Sequence, residues 1–249
     1  MIFKYGNLEI EIPQGYEYVY YATFILGEYD FLHVRKDDVV LDAGAFVGDY
    51  TLKIAKHVKE VIAVEPIPSA FEILKSNIER NNLKNIMLVN KALYDSKAVV
   101  TMKNEGVGSS VGEGEIKVET VSIDELVNEV GGKITVMKMD IEGAEGKAIY
   151  GDYIKSVREI GIELHGEDNI KAVSQYLKQN SYKLIEMSYR HVLFNTVKNI
   201  ITHFPSFIKA ETKTKVFAST IFSRKYNVPA LSNNQIKVVY ARRTMNILS

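Results

Sequence analysis

The chain contains no cysteine, which excludes disulfides, thiolate metal sites and redox thiol chemistry, and a reducing cytoplasm is the compartment expected for it. It also lacks an apolar run long enough to cross a bilayer. The most apolar N-terminal stretch, YVYYATFIL, is nine residues long and lies between Glu17 and Glu28, whereas a span needs about 20. That stretch is expected to be a packed helix or strand, and no secretory signal pattern is visible. Net charge is missing as well, with 31 Lys+Arg against 31 Asp+Glu, but the balance is uneven along the chain. Through Tyr189 there are 21 basic and 30 acidic residues, a balance of −9; Arg190 to Ser249 holds 10 basic residues against Glu211 alone, a balance of +9. A basic C-terminal module of this kind implies an anionic partner such as nucleic acid, a phosphate-bearing substrate or a membrane surface, or a solvated face packed on the acidic body.

What is present suits one globular domain with a large core, since 46% of 249 residues are hydrophobic. Apolar runs at Val39–Ala43, Val61–Val64, Ile86–Val89, Ile134–Met139 and Ile160–Leu164 read as buried strands. Helix-like segments separate them, among them Tyr50–His57 and Pro68–Asn81, where Ala70, Phe71, Leu74 and Ile78 follow the 3.6-residue period. Strands alternating with helices imply βαβ crossovers and an α/β, doubly wound parallel sheet. Between Asp95 and Val121 short alternating runs flank four glycines from Gly106 to Gly114 and read as a hairpin excursion with a flexible tip or as a plain surface loop. YKLIEMSY and IKVVYARR read as two final strands. The more than forty residues between them need structure of their own, so Asn195–Asn234 is expected to be a basic cap of short amphipathic helices.

The most informative turn is VVLDAGAFVGDYTL, Val39–Leu52. It departs from the Gly-x-Gly-x-x-Gly dinucleotide fingerprint because Phe46 stands where the central glycine would admit a pyrophosphate. What remains is a strand carrying Asp42, a turn opened by Gly44 and a helix starting near Gly48. The helix start suits a ligand carboxylate, and Asp42 would face a cation. Glu65 follows Gly44 by 21 residues and ends the second strand, where an acid pairs with ribose hydroxyls. A ligand with both a ribose and an amino acid fits S-adenosylmethionine and does not fit NAD.

The same turn, together with VIAVEPIPSAFEILKSNIERNNL, VNKALYD, VETVSIDELV, VMKMDIEGAEGKAI and IGIELHG, resembles the successive motifs of the FkbM-type S-adenosylmethionine-dependent methyltransferases. The resemblance covers about Val39 to Gly166, and KMDIEGAE is its most specific piece. It implies a Rossmann-like class I methyltransferase sheet, mostly parallel with the last strand antiparallel and helices on both faces. On that pattern residues 1–38 form an N-terminal extension and 39–249 the methyltransferase domain, with the cap inserted at 195–234. Asp42, Ala43, Gly44, Ala45 and Gly48 match the first cofactor motif and Glu65 the ribose acid. Asn90 and Lys91 fall near the adenine, and Ile67 packs on the adenine face or in the core. The family typically methylates hydroxyls of sugars or natural products. The long basic insert departs from its compact members and leaves the acceptor open.

Methyl transfer to a hydroxyl needs alignment, exclusion of water and a group to take the proton. Two strand ends supply candidates. Asp140 ends the fourth strand, with Glu142 and Glu145 expected to share a face of the helix that follows; Glu163 and His165 end the fifth. Ligands bind at such carboxyl ends in open α/β sheets. Asp140 and Glu142 are read as positioning groups and His165 as the general base, its ordinary pKa lying near working pH. The same residues are a permissible set for a divalent ion, which is not expected, and no metal ligand is assigned. The expected activity is O-methylation of a sugar, glycan or other small molecule. The rivals are an RNA methyltransferase using region 190–249, where Phe204, Phe207, Phe217 and Phe222 lie among basic residues, and a binding module without turnover. No dedicated RNA-binding motif is present.

Overall fold

A computed structural model of the chain describes residues 1–103, 114–186, 189–202 and 236–244. The tip expected at Gly106–Gly114 falls, apart from Gly114, outside the described residues, as does the basic cap beyond Thr202 with its four phenylalanines.

The chain opens with an antiparallel hairpin, β1 (Ile2–Tyr5) and β2 (Leu8–Glu11), followed by α1 (Glu17–Tyr20), which runs into a π-helical turn at Tyr21–Leu26. Gly27 closes that turn with φ 65°, a left-handed conformation costly for residues with a Cβ. Thus YVYYATFIL is helical, and it is almost wholly buried. There follow β3 (Val39–Ala43), α2 (Asp49–Ile54, extended by a 3₁₀ turn at Ala55–His57), β4 (Glu60–Val64), α3 (Pro68–Arg80), β5 (Ile86–Val89) and the short β6 (Ala92–Leu93). Next come β7 (Val99–Met102), β8 (Ile116–Val121), α4 (Ile123–Val130), β9 (Val136–Met139), α5 (Glu145–Ala148), β10 (Glu159–His165), α6 (Glu167–Gln179), β11 (Tyr182–Glu186), α7 (Tyr189–Thr202) and β12 (Ile236–Arg243).

Seven of these strands form the central sheet in the order β11-β12-β10-β9-β3-β4-β5. The pairs β10–β9, β9–β3, β3–β4 and β4–β5 are parallel, while β12 lies antiparallel between β10 and β11. This is the doubly wound sheet with a reversed last strand that the apolar runs and the resemblance imply. All residues of β3 and β9 are buried, as strands covered on both faces require. β7 and β8 pair as the expected hairpin, and β6 joins β8 in parallel to complete a small three-stranded sheet. At the start of α4 the sequence SIDE forms a capping box: Ser122 Oγ accepts from the Glu125 N–H, and Glu125 Oε2 accepts from the Ser122 N–H.

The N-terminal extension is bonded into the domain. Asn77 of α3 and Asn81, which caps its C-terminus, treat β2 as a paired strand, accepting from the Glu11 and Glu9 N–H groups at 2.7 and 2.9 Å and donating to their carbonyls at 2.9 and 2.6 Å. Phe3, Ile10, Tyr20 and Phe24 pack in one cluster with Val47, Leu52 and Leu74. At the far end of the sheet Arg158 joins the extension to β10. It donates to Asp38 Oδ2 at 2.5 Å, to Glu159 Oε1 at 2.9 Å and to the His33 carbonyl, with Asp38 and Glu159 both buried. Replacing one partner strands a buried charge. Because Arg158 is itself partly exposed, Arg158→Leu is expected to cost about 2–3 kcal/mol, somewhat below the range for a fully buried pair. Urea unfolding measures the change, and a loss below about 0.5 kcal/mol would show that the latch contributes nothing.

Candidate functional site

The glycine turn lies between the carboxyl ends of β3 and β4. Its N–H groups fold back onto the sheet: Gly44 and Ala45 both donate to the Val64 carbonyl, at 3.0 and 2.9 Å. Gly44 has φ 74°, and a Cβ there would fall 1.8 Å from the Asp140 carbonyl oxygen. The turn therefore touches the loop after β9 so closely that only glycine fits. Phe46, at the place of the missing central glycine, has φ 49°. It adopts a glycine-like backbone despite its ring, a strained geometry of the kind found at binding turns.

Glu65 closes the turn from below. Its Oε2 accepts from the Phe46 N–H and its Oε1 from the Ile67 N–H, each at 2.8 Å. Burial pushes the carboxyl up to about 7, against the pull of those two donors. Each oxygen retains lone pairs, so the group suits a pair of ribose hydroxyls. Asn90 braces it by donating to the Glu65 and Pro66 carbonyls at 2.8 and 3.2 Å. Lys91 Nζ lies 3.8 Å from Glu119 Oε2, on the small sheet. Ile67 is buried among Ala70, Ala92, Met102 and Val118, a core contact.

Asp42 does face a cation, and the cation belongs to the chain. Lys138, in the middle of β9, places Nζ 3.2 Å from Asp42 Oδ1, 2.5 Å from the Gly44 carbonyl and 3.3 Å from the Ala43 carbonyl. It lies 5.7 Å from the centre of the Tyr29 ring. Thr51 donates to the other Asp42 oxygen at 2.6 Å. Burial would discharge such an ammonium, but Asp42, Asp140 and Asp49 outweigh it and keep the Lys138 pKa raised. Asp49, at the start of α2, is pushed up to about 6 by burial and accepts from Thr23 Oγ1. The reading from residue spacing overlooked Lys138. Its signal was a lysine inside the apolar run VMKM, since a lysine on a buried strand must be paired.

The acids expected on one helical face converge by a different route. Glu142 precedes α5 in a left-handed conformation, φ 51°, and only Glu145 lies in the helix, because the turn through Gly143 intervenes. The expectation of a shared helical face is thus corrected. Both acids nevertheless reach His165, whose Nδ1 lies 3.1 Å from Glu145 Oε1 and whose Nε2 lies 3.3 Å from Glu142 Oε2 and 3.4 Å from Glu163 Oε1. Asn169 and the Gly143 N–H fix Glu145 at 3.1 and 2.9 Å. Burial lowers the His165 pKa, but the hydrogen bonds and charges of Glu145 and Glu163 override it and raise it to about 11. The imidazole is therefore a resident cation at neutral pH, not the half-titrated group expected from its ordinary pKa. Asp140 receives the Tyr29 hydroxyl at 3.4 Å.

Two groups among these residues have the chemistry to hold parts of a cofactor. The Gly44 and Ala43 carbonyls with Asp42 form an acceptor set that already holds one ammonium, and Glu65 offers a carboxylate to a diol. For a divalent ion, single ligand atoms of Asp140, Glu163 and His165 lie within 4.8 Å of one another, a set that takes Glu163 in place of Glu142. His165 Nε2 and Glu163 Oε1 are 3.4 Å apart, and a bound ion would require His165 without the proton on its ligating nitrogen.

Residues 42–184 match the family described as the methyltransferase FkbM domain. The chain is 40% identical over 58 residues to a protein of Methanocaldococcus jannaschii described as a cobalt-precorrin-6B C(15)-methyltransferase (decarboxylating), covering 23% of this chain and 32% of that one. It is 39% identical over 57 residues to the 23S rRNA (uracil(1939)-C(5))-methyltransferase RlmD of Mannheimia succiniciproducens, covering 23% and 13%. These stretches span a third or less of the curated relatives. The crystal structure of methyltransferase FkbM from Methylobacillus flagellatus KT superposes with a TM-score of 0.54 at 17% identity, over 72% of this chain and 45% of that one, a likeness of fold. Since the matching domain takes up more than half of its length, this chain belongs to the FkbM methyltransferase family.

Proposed function

We propose that the chain transfers a methyl group from S-adenosylmethionine to a hydroxyl of a sugar, glycan or other small molecule in the cytoplasm. The observation that carries this reading is the placement of an acceptor-rich cluster, Asp140, Glu142, Glu163 and His165, at strand ends beside a turn whose Glu65 and Asp42 suit an amino-acid nucleoside. The cofactor supplies a sulfonium-activated methyl. The chain's own residues bind, orient and deprotonate the acceptor. Glu65 accepts the ribose hydroxyls, and Asp42 with the Ala43 and Gly44 carbonyls shares its acceptor capacity between Lys138 and the ligand ammonium. Ala45 and Gly48 keep the turn narrow, while Asn90 and Lys91 border the adenine side. Because His165 holds its proton, Asp140 or Glu142 takes the acceptor's proton and His165⁺ steadies the carboxylates. An RNA acceptor is the rival reading, supported by the +9 region and by the short likeness to an rRNA methyltransferase.

Calorimetric titration with S-adenosylhomocysteine tests the site, with NAD as the control: one saturable site for the former alone is expected, and none would overturn the reading. Glu65→Gln is expected to weaken the affinity by about 10- to 100-fold, the value of charge-assisted hydrogen bonds. The pH dependence has a definite sign. With Glu65 raised from 4.5 to about 7, the ligand-free fold binds an extra proton between these values. Its stability contribution is greatest below pH 4.5 and falls as pH rises to 7. A ligand that needs the carboxylate must expel that proton, so affinity should drop as pH falls below 7, up to about tenfold per unit, and Glu65→Gln should flatten the profile.

For His165, the ring proton shifts followed by NMR should stay flat from about pH 5 to 9, since the raised pKa lies above that window. A midpoint near 6.5 would return His165 to the role of base. With radiolabelled cofactor, label should pass to glycan or small-molecule acceptors and not to tRNA or rRNA; the reverse outcome would establish the RNA reading.

A further inference from the structure

Among the described side chains of helix α7, the uncharged polar ones face the body of the protein and the apolar ones face away from it. A helix lying on a globular surface normally turns apolar residues inward and polar ones to water. Here the inward side carries Asn195, Thr196 and Asn199. Asn195 Nδ2 donates to the Gly27 carbonyl at 3.2 Å, while Asn199 Nδ2 donates to the Ile25 carbonyl at 3.3 Å and to Asp30 Oδ2 at 2.9 Å. Thr196 and Asn199 are each only 6% exposed. These bonds seat the helix on the π-helical turn at Tyr21–Leu26 and the residues just after it. The outward side carries Leu193, Phe194, Val197 and Ile201, exposed by 48%, 72%, 50% and 72%. At 100° per residue these four occupy roughly a 100° arc opposite the amides. The other large exposed apolar side chains among the described residues are scattered over separate elements, as is usual for single residues. Four on one helical face form a patch of the kind that marks an interaction site.

We propose that this face of α7 docks the protein on an anionic lipid bilayer. The charge of the helix and of the sequence that follows it selects that occupant. α7 contains no acidic residue, Lys198 is exposed on the border of the stripe, and the stretch from position 203 to 235 adds five Lys/Arg against Glu211. An apolar stripe in a segment rich in Lys/Arg and poor in acids is the composition of helices that lie in the headgroup region of negatively charged membranes. A second copy of the chain would bring two basic regions together, which costs energy. A nucleic acid would use the cations but has little use for three aliphatic side chains, since base recognition by stacking needs aromatic faces. No helix among the described residues is long and apolar enough to cross a membrane, so the mode is attachment to the surface. The inference does not depend on the acceptor assigned above, and its test involves no turnover.

The protein has no tryptophan, so one introduced at the stripe is a clean reporter. In Phe194→Trp, emission should shift to the blue with vesicles of phosphatidylcholine containing about 30 mol% phosphatidylglycerol, and not with phosphatidylcholine alone. Tyr150→Trp, on a separate exposed element, should not respond. In co-sedimentation, Phe194→Ser with Ile201→Ser should lower vesicle binding at least tenfold while leaving affinity for S-adenosylhomocysteine unchanged. About 0.5 M salt should weaken binding of the parent chain. Equal vesicle binding by the parent and the double variant would overturn the proposal. So would an emission shift produced by tRNA and not by vesicles, or a parent dimer in solution that the double variant abolishes.

Discussion

The site depends on one buried ammonium. Lys138 is the group through which β9, β3 and the glycine turn are held in register at their carboxyl ends. It neutralises Asp42, binds the Gly44 carbonyl and lies against the Tyr29 ring. A buried ion pair recovers its desolvation cost only when the remaining hydrogen-bonding capacity is also satisfied. Here Thr51 takes the second Asp42 oxygen and backbone carbonyls take two of the ammonium's protons. Removing Lys138 or Asp42 would leave its partner's charge in the interior. This is a physical reason for the tightness of the turn, where Gly44 and the Asp140 carbonyl meet with no room for a methyl group.

The two halves of the site are tuned in opposite directions. Around the turn, burial favours neutral acids, with Glu65 pushed up to about 7 and Asp49 to about 6. Around the ends of β9 and β10, carboxylates crowd one imidazole and keep it charged. A cationic ligand entering between them meets a region whose negative charge is only partly expressed, so its arrival and the release of protons are linked. Electrostatic preorganisation of this kind does not require the side chains to move when the ligand binds.

The sheet was legible from the sequence because parallel strands covered on both faces are continuous apolar runs, and Val39–Ala43 and Ile86–Val89 match the observed strands residue for residue. The α3 boundaries follow from Pro68 and from the periodicity through Ile78. Less legible was anything decided by long-range packing. The π-helical turn at Tyr21–Leu26 is set by what it packs against, and Glu142 leaves the helix because of the turn at Gly143, although its spacing from Glu145 suggested a shared face. The pKa of His165 depends on Glu163, two residues away, and on Glu145, twenty residues earlier, so its ordinary solution value was a poor guide. The closeness of Glu65 to the glycine turn was legible because spacing along adjacent parallel strands converts directly into proximity at their ends. The inverted face of α7 was hidden for the opposite reason, since composition alone does not say which side of a helix the protein occupies.

The position of β12 has a consequence for how the molecule is made. It lies between β10 and β11, yet it follows β10 by about seventy residues and is the last strand of the sheet. On the ribosome, the edge of β10 stays unpaired until Ile236–Arg243 emerges, and β11 has no neighbour in the sheet until the same moment. A nascent chain with the whole family-matched segment 42–184 already synthesised would therefore display an open strand edge, the feature that recruits chaperones or misplaced partners. Pairing β12 with β10 joins segments about seventy residues apart, a long-range closure of the kind that is intrinsically slow.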